Sequence, residues 1–304
     1  MIPTYNCGRY LRQTLKSVLD QAPGLAQMQI EVVDNCSSDN PEAIVEELGL
    51  GRVRFYRNPV NLGAVANFNV CIERSRGELV HILHGDDFVG PDFYSKIGLL
   101  AGQHPEAALL ASRVWFVNEN GTVTGVSKHL RGLESASRDC SAFYYATPLQ
   151  YAGTVIRREF YQRHGGFDPD YPYCGDCEMW ARAISMGGGV VLPEPLAYYR
   201  MHGQSDRSSV IRSADNLREI DRLAKYFESR HPDFSQKKHL KRMVRSAWNQ
   251  AERFRMMGMA DGYEANLAFW RSSANFFQKI TRYPPMLYHR WIFRKWQRGN
   301  APKI

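Results

Sequence analysis

Residues 79–93 read LVHILHGDDFVGPDF and set two adjacent carboxylates, Asp86 and Asp87, at the end of an apolar run and beside His84. Leu79, Val80, Ile82 and Leu83 have the length and composition of a short buried strand, and Gly90 and Pro91 punctuate the turn that follows. Two like charges a few Å apart where a strand leaves the core repel each other unless one takes a proton or a cation sits between them. A divalent metal or a basic side chain is therefore implied. A solvated turn or a helix cap is the plainer reading of such a pair, so the rest of the chain has to decide.

Upstream, strand and helix signals alternate. MIPTYN has the look of a strand that breaks at Pro3, and because it begins mid-strand, either the true start lies further upstream or this strand is short. Tyr10, Leu11, Leu15, Val18 and Leu19 then recur at helical spacing. IEVVDNCSSDN is a second strand ending in a polar cluster, and PEAIVEEL opens a helix with proline early and acids in the first turn. VRFYRN, NLGAVANFNVCIERS and ELVHILHGDD continue as strand, helix and strand. Such βαβ connections predict a largely parallel sheet, in which ligands sit beyond the carboxyl ends of the strands. Thr4, Tyr5, Asp34, Asn35, Asp86 and Asp87 all fall at those ends and are expected to converge on one crevice.

Composition sets broader limits. The 304 residues are 44% hydrophobic and 12% aromatic, enough for one large core and an appended smaller unit. A formal charge of +8 suits a polyanionic or membrane-surface partner. No apolar run of roughly 18 residues and no basic start before a hydrophobic stretch are visible, so neither a transmembrane helix nor a signal peptide is expected and the cytoplasm is the default. The six cysteines are sparse and irregular, which favours reduced thiols. Cys174 and Cys177 form a C-x-x-C, but no second pair stands at zinc-ribbon spacing. Asn35 and Asn120 open glycosylation sequons by pattern only.

IPTYN, EVVDNCSSDN, NLGAVANFN, GELVHILHGDDFVGPDF, GGFDPDYPYCGDCEMWARA and AYYRMHG follow one another in the order and spacing of the family 2 glycosyltransferases, which the chain resembles over roughly residues 1–205. The resemblance implies an α/β GT-A fold, a Rossmann-like, mostly parallel sheet flanked by helices, and inverting transfer from a nucleotide-diphosphate sugar to a saccharide or lipid-linked acceptor. Carried over, Pro3, Thr4, Tyr5, Asp34 and Asn35 meet the nucleoside. Asp86 meets the donor, and Asp86 and Asp87 bind Mn²⁺ or Mg²⁺ at its diphosphate, where hard cations take oxygen ligands. His202 in RMHG adds a further metal ligand. Asp176 takes the place of the general base, while Glu178 replaces a later aspartate and Gly175 the usual glutamate. Asn61 and Gly63 would flank the donor pocket. His84 departs from the common D-x-D-D pattern, so one acidic contact is missing or replaced. Together with Gly175 and the clipped first strand, it supports an alternative in which the protein binds nucleotide sugar or saccharide without turnover.

Beyond residue 205 the texture turns helical. Leu217, Ile220, Leu223 and Phe227 form one stripe, and Leu240, Val244, Trp248, Ala251 and Phe254 form another. From Ala265 onward there is no Asp or Glu, whereas Arg290, Arg294, Lys295, Arg298 and Lys303 interleave with Tyr288, Trp291, Phe293 and Trp296. That mixture suits an anionic membrane interface. It also suits single-stranded nucleic acid, but no nucleic-acid motif is present and none is expected as a partner. The reading is thus a catalytic domain over 1–205 and an α-helical extension over 206–304, cytoplasmic and peripheral to the membrane through its tail. Sugar and acceptor specificity is assigned to loops such as Lys128 to Pro148.

Overall fold

Val32 and Val33 are both fully buried, yet they pack into different cores. Successive side chains of a strand point to opposite faces, so a strand whose neighbours are all apolar must be covered on both sides. Leu109 and Leu110, Val155 and Ile156, and Val190 and Val191 divide between the same two cores. Helices therefore cover both faces. The computed structural model describes residues 1–24, 26–202 and 207–273; the basic and aromatic segment from Tyr288 to Lys303 lies outside the described residues.

The first compact unit comprises Met1–Ser205 and Leu223–Phe234. Strands β1 (Ile2–Thr4), β2 (Glu31–Asp34) and β3 (Arg54–Arg57) form a parallel sheet, connected by α1 (Gly8–Leu19) and α2 (Pro41–Gly49). After α3 (Ala64–Arg74), β4 (Leu79–His81) ends sooner than its apolar run predicts. Ile82 and Leu83 continue outside the ladder, and the Leu83 amide donates to the Met1 carbonyl at 3.0 Å. The second sheet is mixed. It contains β4, β5 (Phe88–Val89), β6 (Leu109–Val117), β7 (Val123–Val126), β8 (Thr154–Arg157) and β9 (Gly189–Arg200), in the order β4-β8-β6-β9-β5 with β7 on β6. Strand β6 runs parallel to β9 and antiparallel to β8, so parallel order holds in the first sheet and only in part of the second.

Helices α4 (Phe93–Gln103), α5 (Arg158–His164) and α6 (Gly175–Gly187) complete the layers. Gly187 is required where α6 meets β6, because a Cβ there would lie 2.4 Å from that of Ala108. The segment 128–148 is held by packing: Leu130, Leu133, Phe143 and Tyr144 are buried, and Val191 donates to the Leu133 carbonyl at 2.6 Å. Leu223 and Phe227 also belong to this unit's core.

The second unit comprises Asp206–Arg222 and Ser235–Ile304, and its first helix is α7 (Arg207–Arg212). Within it, α9 (Gln236–Met256) packs Met243, Val244, Ala247, Ala251 and Phe254 with Tyr263, Leu267 and Trp270 of α10 (Ala260–Ser273). Leu217, from α8 (Asp215–Arg230), joins this cluster. Leu240 departs from its predicted stripe and is 40% exposed, because the apolar contacts of α9 begin at Met243. His239 is buried instead, 3.2 Å from the Asp221 carboxylate.

His81 shows how closely the first unit's core is packed. Its ring lies 3.2 Å from both the Tyr94 hydroxyl and the Ala152 carbonyl, and burial pushes its pKa down to about 3. An imidazole that refuses a proton when folded but accepts one near pH 6.5 when unfolded makes stability rise with pH between those values and contributes no slope above them. Chemical denaturation of the parent should show this loss of stability from about pH 6.5 downward, and His81→Gln should flatten it. Equal slopes in the two proteins would refute the assignment.

Candidate functional site

The turn that carries Asp86 and Asp87 is fixed before any ligand arrives. Gly85 donates from its amide to the Pro3 carbonyl at 3.0 Å, bringing the chain so close to β1 that a Cβ on Gly85 would lie 2.9 Å from Thr4 Oγ1 and 3.3 Å from Cys7 Cβ. Only glycine fits there. From α1, the buried Thr14 hydroxyl shares its proton between the carbonyls of Gly85, at 3.0 Å, and Asp87, at 2.6 Å. Neither Gly85 nor Thr14 was legible as a site residue in the sequence, because each works through the backbone.

On this turn Asp86 Oδ2 lies 2.8 Å from His202 Nε2, just past the end of β9. One ligand atom from each of His84, Asp86 and Asp87 falls within 4.8 Å of the others. Burial alone would raise the Asp86 pKa, but the hydrogen bond from His202 and the charges of His84 and His202 outweigh it and hold the carboxyl below its usual range. His202 and His84 are thus basic side chains beside the Asp86 carboxylate. Asp87 is almost fully buried, and its Oδ1 accepts from the Arg200 amide at 2.8 Å. The His84 ring lies over Phe68 and Tyr151, with centroids 5.0 and 4.4 Å away. Carboxylate oxygens with an adjacent imidazole suit Mn²⁺ or a similar divalent ion.

Next to this turn lie the ends of β1 and β2. Asn35 donates from its amide to the Thr4 carbonyl at 2.9 Å, which ties the two ends together. Tyr5 is 41% exposed, whereas Thr4 and Asp34 are buried. The Asp34 carboxylate accepts from the Ser37 amide and hydroxyl and pairs with Arg57 Nη1 at 3.1 Å. Four asparagines form a connected network here: Asn35 Nδ2 donates to Asn61 Oδ1, and Asn58 Nδ2 donates to the side-chain oxygens of both Asn35 and Asn67. Asn67 in turn donates to the Val33 carbonyl, and Leu62 and Gly63 donate from their amides to Asn35 and Asn61. Asn61 and Gly63 thus shape the loop after β3.

Asp176 sits in the first turn of α6, buried, with its Oδ1 accepting from the Cys177 amide at 2.8 Å. Carboxylates are favoured at this end of a helix. Glu178 is engaged elsewhere, pairing with Arg182 at 2.7 Å, and Arg182 also donates to the carbonyls of His164, Gly165 and Gly166. Cys174 and Cys177 are buried and form no disulfide, and burial raises the Cys177 pKa, so Cys177 carries no reactive thiolate at neutral pH.

Sheets covered by helices on both faces, with a carboxylate turn beside the carboxyl ends of β1 and β2, define the GT-A class of glycosyltransferase fold. Residues 1–165 match the description Glycosyl transferase family 2, and the chain belongs to that family. An uncharacterised glycosyltransferase of Haemophilus influenzae is 24% identical over 216 residues, covering 68% of this chain and 66% of that protein, so the chain spans about two thirds of its length. The poly(ribitol-phosphate) β-N-acetylglucosaminyltransferase TarS of Staphylococcus aureus is 28% identical over 120 residues, 36% of this chain and 20% of that one. Residues 1–349 of TarS in complex with UDP-GlcNAc superpose with a TM-score of 0.58 at 17% identity, covering 90% of this chain and 91% of the other. The mannosyltransferase PcManGT of Pyrobaculum calidifontis, in complex with GDP-Man and Mn²⁺, gives 0.56 at 16% identity over 95% and 81%.

If Thr14 holds the turn, Thr14→Val should cost about 1–3 kcal/mol, because two buried carbonyls lose their donor while the side-chain shape is kept. Urea denaturation measures this. A change within a few tenths of a kcal/mol would show that the hydroxyl is dispensable.

Proposed function

We propose that this chain is an inverting glycosyltransferase that moves a sugar from a nucleotide-diphosphate donor to a saccharide or lipid-linked acceptor in the synthesis of a cell-surface polysaccharide. The observation that carries the reading is the Asp86–His202 pair, grouped with His84 and Asp87 beside the ends of β1 and β2. Solved relatives of the same fold support it, being complexes with UDP-GlcNAc, UDP and GDP-Man. The poly(ribitol-phosphate) activity in the name of TarS supports a surface polymer as the acceptor.

In this reading Pro3, Thr4, Tyr5, Asp34 and Asn35 receive the nucleoside, and Asp86, Asp87 and His202 hold a Mn²⁺ or Mg²⁺ ion. When bound, such an ion supplies Lewis-acid stabilisation to the departing diphosphate. Asp86 also orients the donor, and Asp176 accepts the acceptor hydroxyl proton as its oxygen attacks the anomeric carbon. The catalytic domain is residues 1–205. The carboxyl-terminal region 206–304 brings its basic tail to an anionic membrane from the cytoplasmic side, where a lipid-linked acceptor is at hand. Among the described residues no helix is long and apolar enough to cross a membrane.

Two substitutions test the roles separately. Asp86→Asn removes a hard ligand at constant shape and should abolish the Mn²⁺-dependent part of UDP or GDP binding. Asp176→Asn should lower kcat by about a hundredfold or more while donor affinity hardly changes, since only the chemical step loses its base. An Asp176→Asn enzyme that turns over like the parent would refute the assignment of the base.

A further inference from the structure

Arg200 is 4% exposed, a rare state for an arginine, and every nitrogen of its side chain has a partner. Nε donates to the Asp86 carbonyl at 2.8 Å, and Nη1 donates to the carbonyls of Asn118 and Glu119 at 3.2 and 3.1 Å. Nη2 donates to Gln13 Oε1 at 2.6 Å. The guanidinium carbon lies 4.6 Å from the centre of the Tyr10 ring and 5.5 Å from that of Phe88, within cation–π range. The backbone amide of the same residue donates to Asp87 Oδ1. One residue thus touches α1, the carboxylate turn, β5 and the loop after β6.

We propose that Arg200 is a positioning residue for the Asp86–Asp87 turn, and that its planar guanidinium sets the spacing between that turn and His202. The inference rests on the proposed metal and donor site. Arg200 is buried with each side-chain nitrogen engaged by protein oxygens, so it acts through the turn and does not touch the substrate. Its fork shape matters as much as its charge: carbonyls from two separate segments and one amide oxygen are met at once, in directions a lysine ammonium cannot match simultaneously. Losing the fork frees the Asp86 carbonyl and the 118–119 loop together. His202, two residues further along the same strand end, then loses its fixed distance to Asp86.

The test compares the full chain with Arg200→Lys and with Gln13→Ala, which removes one exposed acceptor and spares the fold. Mn²⁺ affinity is read by electron paramagnetic resonance, UDP and GDP affinity is read with and without Mn²⁺, and hydrogen exchange is followed over residues 83–90. Arg200→Lys should weaken Mn²⁺ binding at least tenfold, leave metal-free nucleotide binding within about twofold, and speed exchange in 83–90 more than elsewhere. Gln13→Ala should shift the same readouts in the same direction by less. If Arg200→Lys fails to fold, Gln13→Ala decides: Mn²⁺ affinity and exchange that match the parent overturn the proposal. Parent-like Mn²⁺ affinity and exchange in Arg200→Lys also overturn it. A parent that binds no Mn²⁺ or nucleotide while Arg200→Lys still loosens 83–90 refutes the donor site and leaves the positioning role standing.

Discussion

Asp86 and Asp87 can share one turn because each is met by a different partner from the same strand end. His202 bonds Asp86, and the Arg200 amide bonds Asp87. That arrangement depends on register. Strand β5 pairs antiparallel with β9, Phe88 opposite Tyr198 and Val89 opposite Ala197. Carrying the same register two residues outward brings Arg200 level with Asp86. A slip of one residue would turn every side chain to the opposite face, and the carboxylates would face each other without their counter-groups. The Phe88 and Tyr198 rings, stacked with centroids 4.4 Å apart, help to lock the pairing.

The ends of β1 and β2 are organised on another principle. No ion pair joins the four asparagines; amides satisfy one another in a chain from Asn61 through Asn35 and Asn58 to Asn67. An amide offers both donors and acceptors, so one residue type can build a network, three of its four members buried here, that needs no counter-charge. Breaking one link leaves a buried polar group unsatisfied, and such networks are therefore rigid. Asp34, fully buried, is the exception, and its charge is met by Arg57 from the next strand.

How much of this was legible in the sequence follows from the kind of signal each feature leaves. Short apolar pairs, Val32 and Val33 in β2 and Phe55 and Tyr56 in β3, and the helical spacing around them marked the first sheet and its helices. The DD pair stood out because charge at the end of an apolar run is costly. The mixed second sheet was not legible: β4, β6, β8 and β9 pair across long separations, and no local periodicity records whether two strands run parallel or antiparallel. Thr14, Gly85 and Arg200 were silent for a related reason. Their partners are backbone atoms or residues far along the chain, and the Arg200 side chain reaches Gln13 from 187 positions away. The Leu240 stripe misled because periodicity identifies a face without showing where along the helix the partner begins.

Contacts separate residues that the sequence presents as equals. Asp86 and Asp87 are adjacent carboxylates, yet the Asp87 side chain is closed off and anchored to β9 whereas that of Asp86 keeps 22% of its surface. Asp176 and Glu178 stand two apart on one helix, yet Glu178 is consumed by Arg182, which itself ties down the turn that ends α5. In each motif one acid is spent on the scaffold, Asp87 on the Arg200 amide and Glu178 on Arg182. A carboxylate can be held in a ligand-ready position only if something adjacent absorbs the cost of bending the chain there. Doubled acidic motifs of this sort therefore commit one acid to the frame that positions the other: Asp87 through a backbone amide of β9, and Glu178 through the guanidinium of Arg182.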